Sequence, residues 1–534
     1  MSHDQIKIMI TMIAYMLIII GVGVFFFKRA NASTENFFLG GRTLGPWVTA
    51  MSAEASDMSG WLLMGLPGVA YWMGLSDAFW TALGLGLGTY INWLIVSKRL
   101  RCYSEVAGNS ITLPEFFSKR FKEEKPVLMT VSALFILVFF TVYASSCFVT
   151  VGKLFSALFN ISYFLAMLIG AVFVVLYTVI GGFLAESVSD FIQAIVMIFA
   201  LVTIVGTAII AAGGVGQVVE NVRAFPGFLE FFGMASPVLK DGAQVVQAGV
   251  PQFEPTATPY TLRTIVSTMS WGLGYFGMPQ VLLRFMAIRH KNELTASRRI
   301  ATVWVFISLF AAVVMGIMGR ALFPTALGTA SQSENILIVM STNLLPAVLA
   351  GLVMAGILAA TISSSDSYLL IASSSVAKNL YQGVFKKDAT DRHVMIVSRV
   401  TLVLISIVAM LIALDENSII FQVVSFAWAG FGATFGPIML FLLFWKRVTR
   451  SGAVAGMVAG GSMVFIWKLL LRPLGGALDV YELLPAFLIS CLAIVIVSLL
   501  TKKPSAEIQA EFEHAKAASK TKEDLVFAAA KNNQ

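Results

Sequence analysis

Between Met51 and Gly68 the chain reads MSAEASDMSGWLLMGLPG. Two acids, Glu54 and Asp57, stand three residues apart among Ser52, Ser56 and Ser59, with Gly60, Gly65, Pro67 and Gly68 following in the same apolar stretch. A charged group at the centre of a bilayer costs roughly 2.5–3.5 kcal/mol on insertion scales, so it needs a partner or a wet cavity. Unwound backbone at that depth persists only where protein buries it or water reaches it. Carbonyls freed by such a break, with hydroxyls beside them, make a hard-oxygen shell for a small cation. A second polar island holds Thr361, Ser363, Ser364, Ser365, Asp366 and Ser367. Its hydroxyls at Ser363 and Ser364, with the carbonyl of Ala360 one turn earlier, supply three more oxygens of the same kind. Helical spacing puts Ser363, Asp366 and Ser367 on one face, with Ser364 about 100° away. The plainer alternatives are a kink with a salt-bridged acid, and serines that bond back to their own helix. For Ser373, Ser374 and Ser375 the plainer reading is preferred.

The elements that must position these groups are membrane spans. Thirteen apolar windows of near-spanning length run from about 7–27 to about 480–500. The second, 44–70, holds the acid pair, and the ninth, 337–377, holds the serine island. The seventh, 262–288, contains STMSWGLGYFGMPQ, where Gly272, Gly274, Gly277 and Pro279 interrupt another apolar helix. With the amino terminus outside, 29 of the 37 Lys and Arg residues fall on inside segments, Arg284 in the segment 284–299 among them, which satisfies the positive-inside rule and leaves the carboxyl terminus inside. The two interrupted spans lie five apart and run oppositely, so spans 2–6 and 7–11 read as an inverted pair. Matched broken helices in two inverted halves point to a transporter site at the midplane. The expected organisation is therefore a peripheral helix and first loop at 1–43, repeats at 44–213 and 262–444, and an outside loop at 214–261. Two peripheral helices at 445–500 and an inside tail at 501–534 complete it, the tail with a short solvated helix at 505–518. The outside loop, which precedes the second broken helix, is read as a connector able to serve as a lid.

Composition agrees and excludes other classes. Hydrophobic residues make up 58% and charged residues 12%, and mean hydropathy is +0.84, the profile of a polytopic all-α membrane protein. The net charge of +8 belongs to the inside loops and has no aromatic interleaving, so it is no nucleic-acid face. Cys102, Cys147 and Cys491 are scattered and form no framework or metal clip. All four histidines lie outside the apolar runs, which argues against a metal centre or an enzyme's nucleophile–base pair. Gly152-Lys153 continues into Leu154, so it is not a nucleotide-binding loop. The first window is long for a signal peptide, lacks an A-x-A site, and is expected to be retained. A channel would need a continuous polar pore, and a nutrient sensor an appended soluble domain.

Several pieces of the chain together resemble the sodium–solute symporter family. They are LGGRTLGPWVTAMSAEASDMSGWLLMGLPG (39–68), ITLPEFFSKRF (111–121), YTVIGGFLAESVSD (177–190), WGLGYFGMPQVLLRFMA (271–287) and SFAWAGFGATFGP (425–437). The first and fourth are specific to its proline-transporting branch. The resemblance implies a thirteen-span, LeuT-like inverted-repeat fold in the plasma membrane of a bacterium. It also implies import of L-proline by symport with Na+, with no other cofactor; another small amino acid or carboxylate, and proton coupling, are the alternatives. By position it implies sodium ligands at the carbonyls of Ala55, Met58 and Ala360 and the hydroxyls of Ser363 and Ser364, with Asp57 attracting the ion. Substrate contacts carry over to Ser59, Gly60, Tyr143, Trp271, Tyr275 and Pro279, whose rings suit a pyrrolidine and whose amides and hydroxyls suit a carboxylate. In some relatives a second cation site corresponds to Asp190 with Ser363, Asp366 and Ser367. Three acids depart from the family pattern: Glu54, Asp366, and Glu186, which is read as a solvent-facing acid near the inner mouth.

Overall fold

The computed structural model describes residues 2–30 and 32–521. Its principal helices are α1 (His3–Ala30), α2 (Pro46–Asp57), α3 (Trp61–Met73), α4 (Leu75–Ile95), α5 (Val127–Phe159), α6 (Tyr163–Ala211), α7 (Leu262–Met269) and α8 (Pro279–Ala287). There follow α9 (Leu294–Leu322), α10 (Ala347–Ser374), α11 (Asp391–Ile412), α12 (Ile420–Phe444), α13 (Arg450–Ile466), α14 (Leu483–Leu500) and α15 (Ala506–Lys520). Among the described residues, nine helices are long and apolar enough to cross a membrane unaided. The windows 44–70 and 262–288 are instead each two shorter helices around a break, α2 with α3 and α7 with α8. At 49 residues α6 would measure about 74 Å if straight, far beyond a hydrocarbon core of about 30 Å. Gly182 divides it with φ 63° and ψ 174°, a conformation without penalty only for glycine.

The helices start where the sequence lets them. Pro46 opens α2, where its missing N–H costs nothing, and Pro279 opens α8 in the same way. Thr390 and Thr449 cap α11 and α13 with their hydroxyls, accepting from the amides of His393 and Gly452. The centre of the molecule is α10, which packs against α1, α5 and α6 and is buried on all faces from Val353 to Ser374. The two broken spans meet near the start of α2 and the end of α8. There the amide of Leu44 donates to Ala287 O at 3.3 Å, and the amide of Arg289 donates to Leu44 O at 3.0 Å.

The segment 214–261 carries a helix, Val215–Arg223, and three two-residue antiparallel pairings. It is tied to α4 by the amide of Leu75 donating to Phe228 O and the indole of Trp80 donating to Phe231 O, both at 2.8 Å. At the opposite face α15 is docked, where a solvated helix was expected. Phe512 is buried beneath Arg120, and Lys291 donates to Ala518 O at 2.9 Å. The AAAKNNQ terminus lies outside the described residues.

Candidate functional site

The break in the first broken span is held open from both sides. Helix α2 ends at Asp57, Met58 leaves helical geometry with φ −89° and ψ 76°, and the helix resumes at Trp61. A Cβ on Gly60 would come within 2.2 Å of Thr150 Oγ1, so only glycine lets α5 approach this closely. The freed carbonyl of Asp57 accepts from Trp61 Nε1 at 3.1 Å and from Tyr143 Oη at 3.4 Å. The last carbonyls of α2 carry the negative end of its dipole, which favours a cation there.

Four of the expected cation ligands come together at this break. Ser363 Oγ donates to Ala55 O at 2.8 Å and lies 3.2 Å from Ala360 O. Ser364 Oγ donates to the same Ala55 carbonyl at 3.3 Å. Two hydroxyls and two carbonyls thus converge between α2 and α10, a donor set of hard oxygens that suits sodium. Met58 follows directly, with its sulfur 3.9 Å from Ser308 Oγ. Asp57 turns the other way: its Oδ1 accepts from Gln280 Nε2 at 3.2 Å, on α8.

The expected substrate residues surround the next turn. Tyr143 stacks on Tyr368 with ring centroids 4.1 Å apart. Tyr275 meets Trp428 edge-on at 5.0 Å, and Trp428 donates its indole N–H to Trp271 O at 2.7 Å. Trp271 also faces Phe421 at 5.1 Å and Tyr481 at 5.2 Å. Ser59 is buried with its hydroxyl unpartnered. A cavity of about 660 Å³ opens on the side of the 214–261 segment, and Gly65, Gly68, Ser267, Trp271, Phe421 and Tyr481 are among its walls. Of the six expected substrate residues only Trp271 lines it. Ser59, Gly60, Tyr143, Tyr275 and Pro279 are buried and do not line it.

The residues expected at a second cation site divide between two groups. Ser363 belongs with Ala55. Asp190 and Ser367 instead meet Arg284, whose Nη2 lies 3.2 Å from Asp190 Oδ2 and 2.8 Å from Ser367 Oγ. The same nitrogen pairs with Glu186 Oε1, which also accepts from Ser367, while Arg284 Nε donates to Ser52 Oγ at 3.0 Å. Asp366 Oδ1 accepts from the Ser367 amide at 2.8 Å, and its Oδ2 is unpartnered. Two sequence readings are corrected here. Arg284 is fully buried and is not an inside-loop charge, and Glu186 is 3% exposed and ion-paired, so it does not face solvent. A buried guanidinium needs its acids, and these acids need it.

The profile of the sodium:solute symporter family matches residues 37–460. The chain belongs to that family. The symporter is 39% identical over 516 residues to the sodium/proline symporter of Staphylococcus aureus, covering 96% of this chain and 95% of the relative. It is 39% identical over 503 residues to the osmoregulated proline transporter OpuE of Bacillus subtilis, covering 94% and 96%. Among solved structures it resembles a Na+-coupled sialic acid symporter in a substrate-bound outward-open state, with TM-score 0.71, 18% identity, and 93% and 99% of the two chains covered. It also resembles MhsT in complex with L-phenylalanine, with TM-score 0.50, 13% identity, and 85% and 97% covered. At these identities the two structures show the shared fold alone.

The symporter also carries site residues that the sequence did not announce. Lys153 and Glu334 form a buried ion pair at 2.7 Å beside the cavity. Glu334 accepts from the amides of Ile420 and Phe421, both at 3.0 Å, at the start of α12. A helix amino terminus favours such an anion. One signal was available for Lys153: a lone base inside the apolar window 126–156 must find an acid. Nothing local in the sequence distinguishes Tyr368 or Trp428 from ordinary core aromatics.

Proposed function

We propose that the chain imports L-proline together with sodium by alternating access, the repeats 44–213 and 262–444 moving about the paired breaks. The observation that carries this reading is the meeting of Ala55, Ala360, Ser363 and Ser364 at the broken end of α2, where Tyr143, stacked on Tyr368, reaches the Asp57 carbonyl. In this reading the carbonyls of Ala55, Met58 and Ala360 and the two hydroxyls hold the ion. Asp57 draws the ion electrostatically while its carboxylate stays with Gln280. Proline lies against Tyr143, Trp271, Tyr275 and Pro279, which cover the pyrrolidine. Its carboxylate takes the unpartnered hydroxyl of Ser59, beside Gly60 at the start of α3. Arg284 supplies a positive charge at Asp190 and Ser367, where a second cation was expected beside Ser363 and Asp366. The names of the relatives that align over nearly the whole chain support proline as substrate and sodium as coupling ion. The positive inside loops support an outside amino terminus in a bacterial plasma membrane.

Uptake of labelled proline into proteoliposomes, under separately imposed sodium and proton gradients, tests the reading. An inward sodium gradient drives accumulation and a proton gradient alone does not. Accumulation driven equally by protons, or blocked better by another small amino acid than by unlabelled proline, transfers the assignment to that ion or substrate.

A further inference from the structure

Two groups of buried acids flank the broken span, and they differ in how their charge is met. Glu186 and Asp190 share the guanidinium of Arg284. Glu54 and Asp57 are fully buried, and among the described residues no basic side chain pairs with either. Glu54 Oε1 accepts from the indole of Trp93 at 2.9 Å and the hydroxyl of Thr89 at 3.4 Å, both on α4. Asp57 Oδ1 accepts from Gln280 on α8. The second oxygen of each carboxylate has no hydrogen-bond partner.

Three more unpartnered oxygens belong to residues bonded into the same cluster. Asn92 Nδ2 donates to Tyr275 O at 3.0 Å, which fixes the amide and leaves Asn92 Oδ1 free. Gln280 is fixed in the same way by its bond to Asp57, and its Oε1 is free. The Tyr275 hydroxyl lies against the Asp57 carboxylate, with Glu54 also beside it, and outside that contact has no partner. Asn92, Tyr275 and Gln280 are all fully buried. With both acids ionised, four of the five oxygens can only accept, and the one phenolic hydrogen serves only one of them. Such groups cannot satisfy one another, and a buried charge is kept by pairing it or by coordinating a metal ion. Oxygen-only donors in this number, including two carboxylates, are what a hard cation takes.

We propose that Glu54, Asp57, Asn92, Gln280 and Tyr275 form a second sodium site on the α4 and α8 side of the break. It is distinct from the Ala55–Ser364 donor set, which faces α10. Neighbouring helical residues point about 100° apart, so Glu54 and Ala55 serve different faces of one turn. The inference rests on the sodium-coupled reading above and adds a second ion to it. Both ions then grip the same last turn of α2, and each transport cycle carries two sodium ions per proline.

The test uses purified full-length protein and counts bound radioactive sodium at saturation. Charge-to-proline ratios are measured in proteoliposomes alongside. Wild type is expected to bind two sodium ions. Glu54→Gln and Glu54→Gly each bind one, and any proline current they retain falls from two charges per proline to one. Asn92→Leu, which leaves both acids in place, lowers affinity for one of the two ions at least tenfold. One ion in wild type, unchanged in both Glu54 variants, overturns the inference and leaves sodium-coupled proline transport standing. Protons held by the carboxylates in place of an ion give that same result. Two ions in wild type and still two in both Glu54 variants also overturn it. Wild type that binds no sodium overturns the coupled reading itself.

Discussion

Ser363 donates its hydroxyl to the Ala55 carbonyl at 2.8 Å, joining the centre of α10 to the broken end of α2. The two oxygens thereby already stand side by side. A cation entering between them has only to turn one hydroxyl hydrogen aside, with no helix to move. Oxygens held in place before the ion arrives lose little freedom when it binds.

Ser364→Ala removes one ligand from this set and leaves the carbonyls standing. The net worth of one such polar contact is about 1–2 kcal/mol, or about five- to thirtyfold in affinity. The sodium concentration for half-maximal proline uptake should rise by that factor. The maximal rate at saturating sodium should stay within about twofold of wild type. Sodium titrations of initial uptake rates check it.

Trp271→Ala should show the opposite profile. The indole lines the cavity and faces Phe421 and Tyr481, away from Ala55 and Ser363. Its loss removes apolar cover worth roughly 1.5–3 kcal/mol, so the proline requirement should rise about ten- to 150-fold. The sodium requirement at saturating proline should move little. If the two variants share one profile, the separation of ion and substrate roles is wrong.

Arg284→Met leaves Glu186 and Asp190 buried without their counter-charge. Breaking a buried pair in this way costs about 3–5 kcal/mol, and the midpoint of thermal unfolding in detergent should fall clearly. Adding Glu186→Val removes one orphaned acid and should recover part of the loss. A double variant no more stable than Arg284→Met would show that the guanidinium balances something other than Glu186.

What the sequence disclosed and what it hid follow from the same physics. Breaks and hydroxyl islands are local, so 51–68, 267–280 and 363–367 stood out against their apolar surroundings, and four of the five expected sodium ligands do meet. Ion pairs between distant residues leave no local mark. Glu186 and Arg284 are 98 positions apart, and a count of inside charges cannot tell a loop arginine from one drawn into the core. Arg284 is 0% exposed although it falls in a stretch that read as an inside loop. The same blindness hid the docking of α15, because a mostly polar helix reads as solvated until Phe512 is seen beneath Arg120 and Tyr103.

That docking is itself testable. Phe512→Ala removes an aromatic side chain that is 4% exposed beneath Arg120, while Lys122 pairs with Glu507 and Glu511 nearby. Emptying a buried aromatic position costs about 3–5 kcal/mol, enough to release the helix. Trypsin should then cut at Lys516 and Lys520 at least about tenfold faster, since local opening sets access. Unchanged cleavage would mean that the ion pairs alone hold α15.

The last expectation concerns the break itself. Ala55 faces the serines of α10, and two residues later the Asp57 carbonyl accepts from Tyr143 and Trp61. In the proposed arrangement an ion that draws the carbonyls of Ala55 and Met58 inward fixes the backbone that carries Ser59 and Gly60, on which Tyr143 also rests through the Asp57 carbonyl. Two ligands that bias one segment must favour each other equally, typically by about 1–3 kcal/mol, or five- to 150-fold. Calorimetry should give a proline Kd lower in sodium than in choline by some factor in that range, and a sodium Kd lowered by proline by the same factor. Tyr143→Phe keeps the stacking on Tyr368 at 4.1 Å but loses the hydroxyl, so the common factor should shrink. A proline affinity identical with and without sodium would separate the two sites, and the shared break would then be a structural joint with no part in coupling.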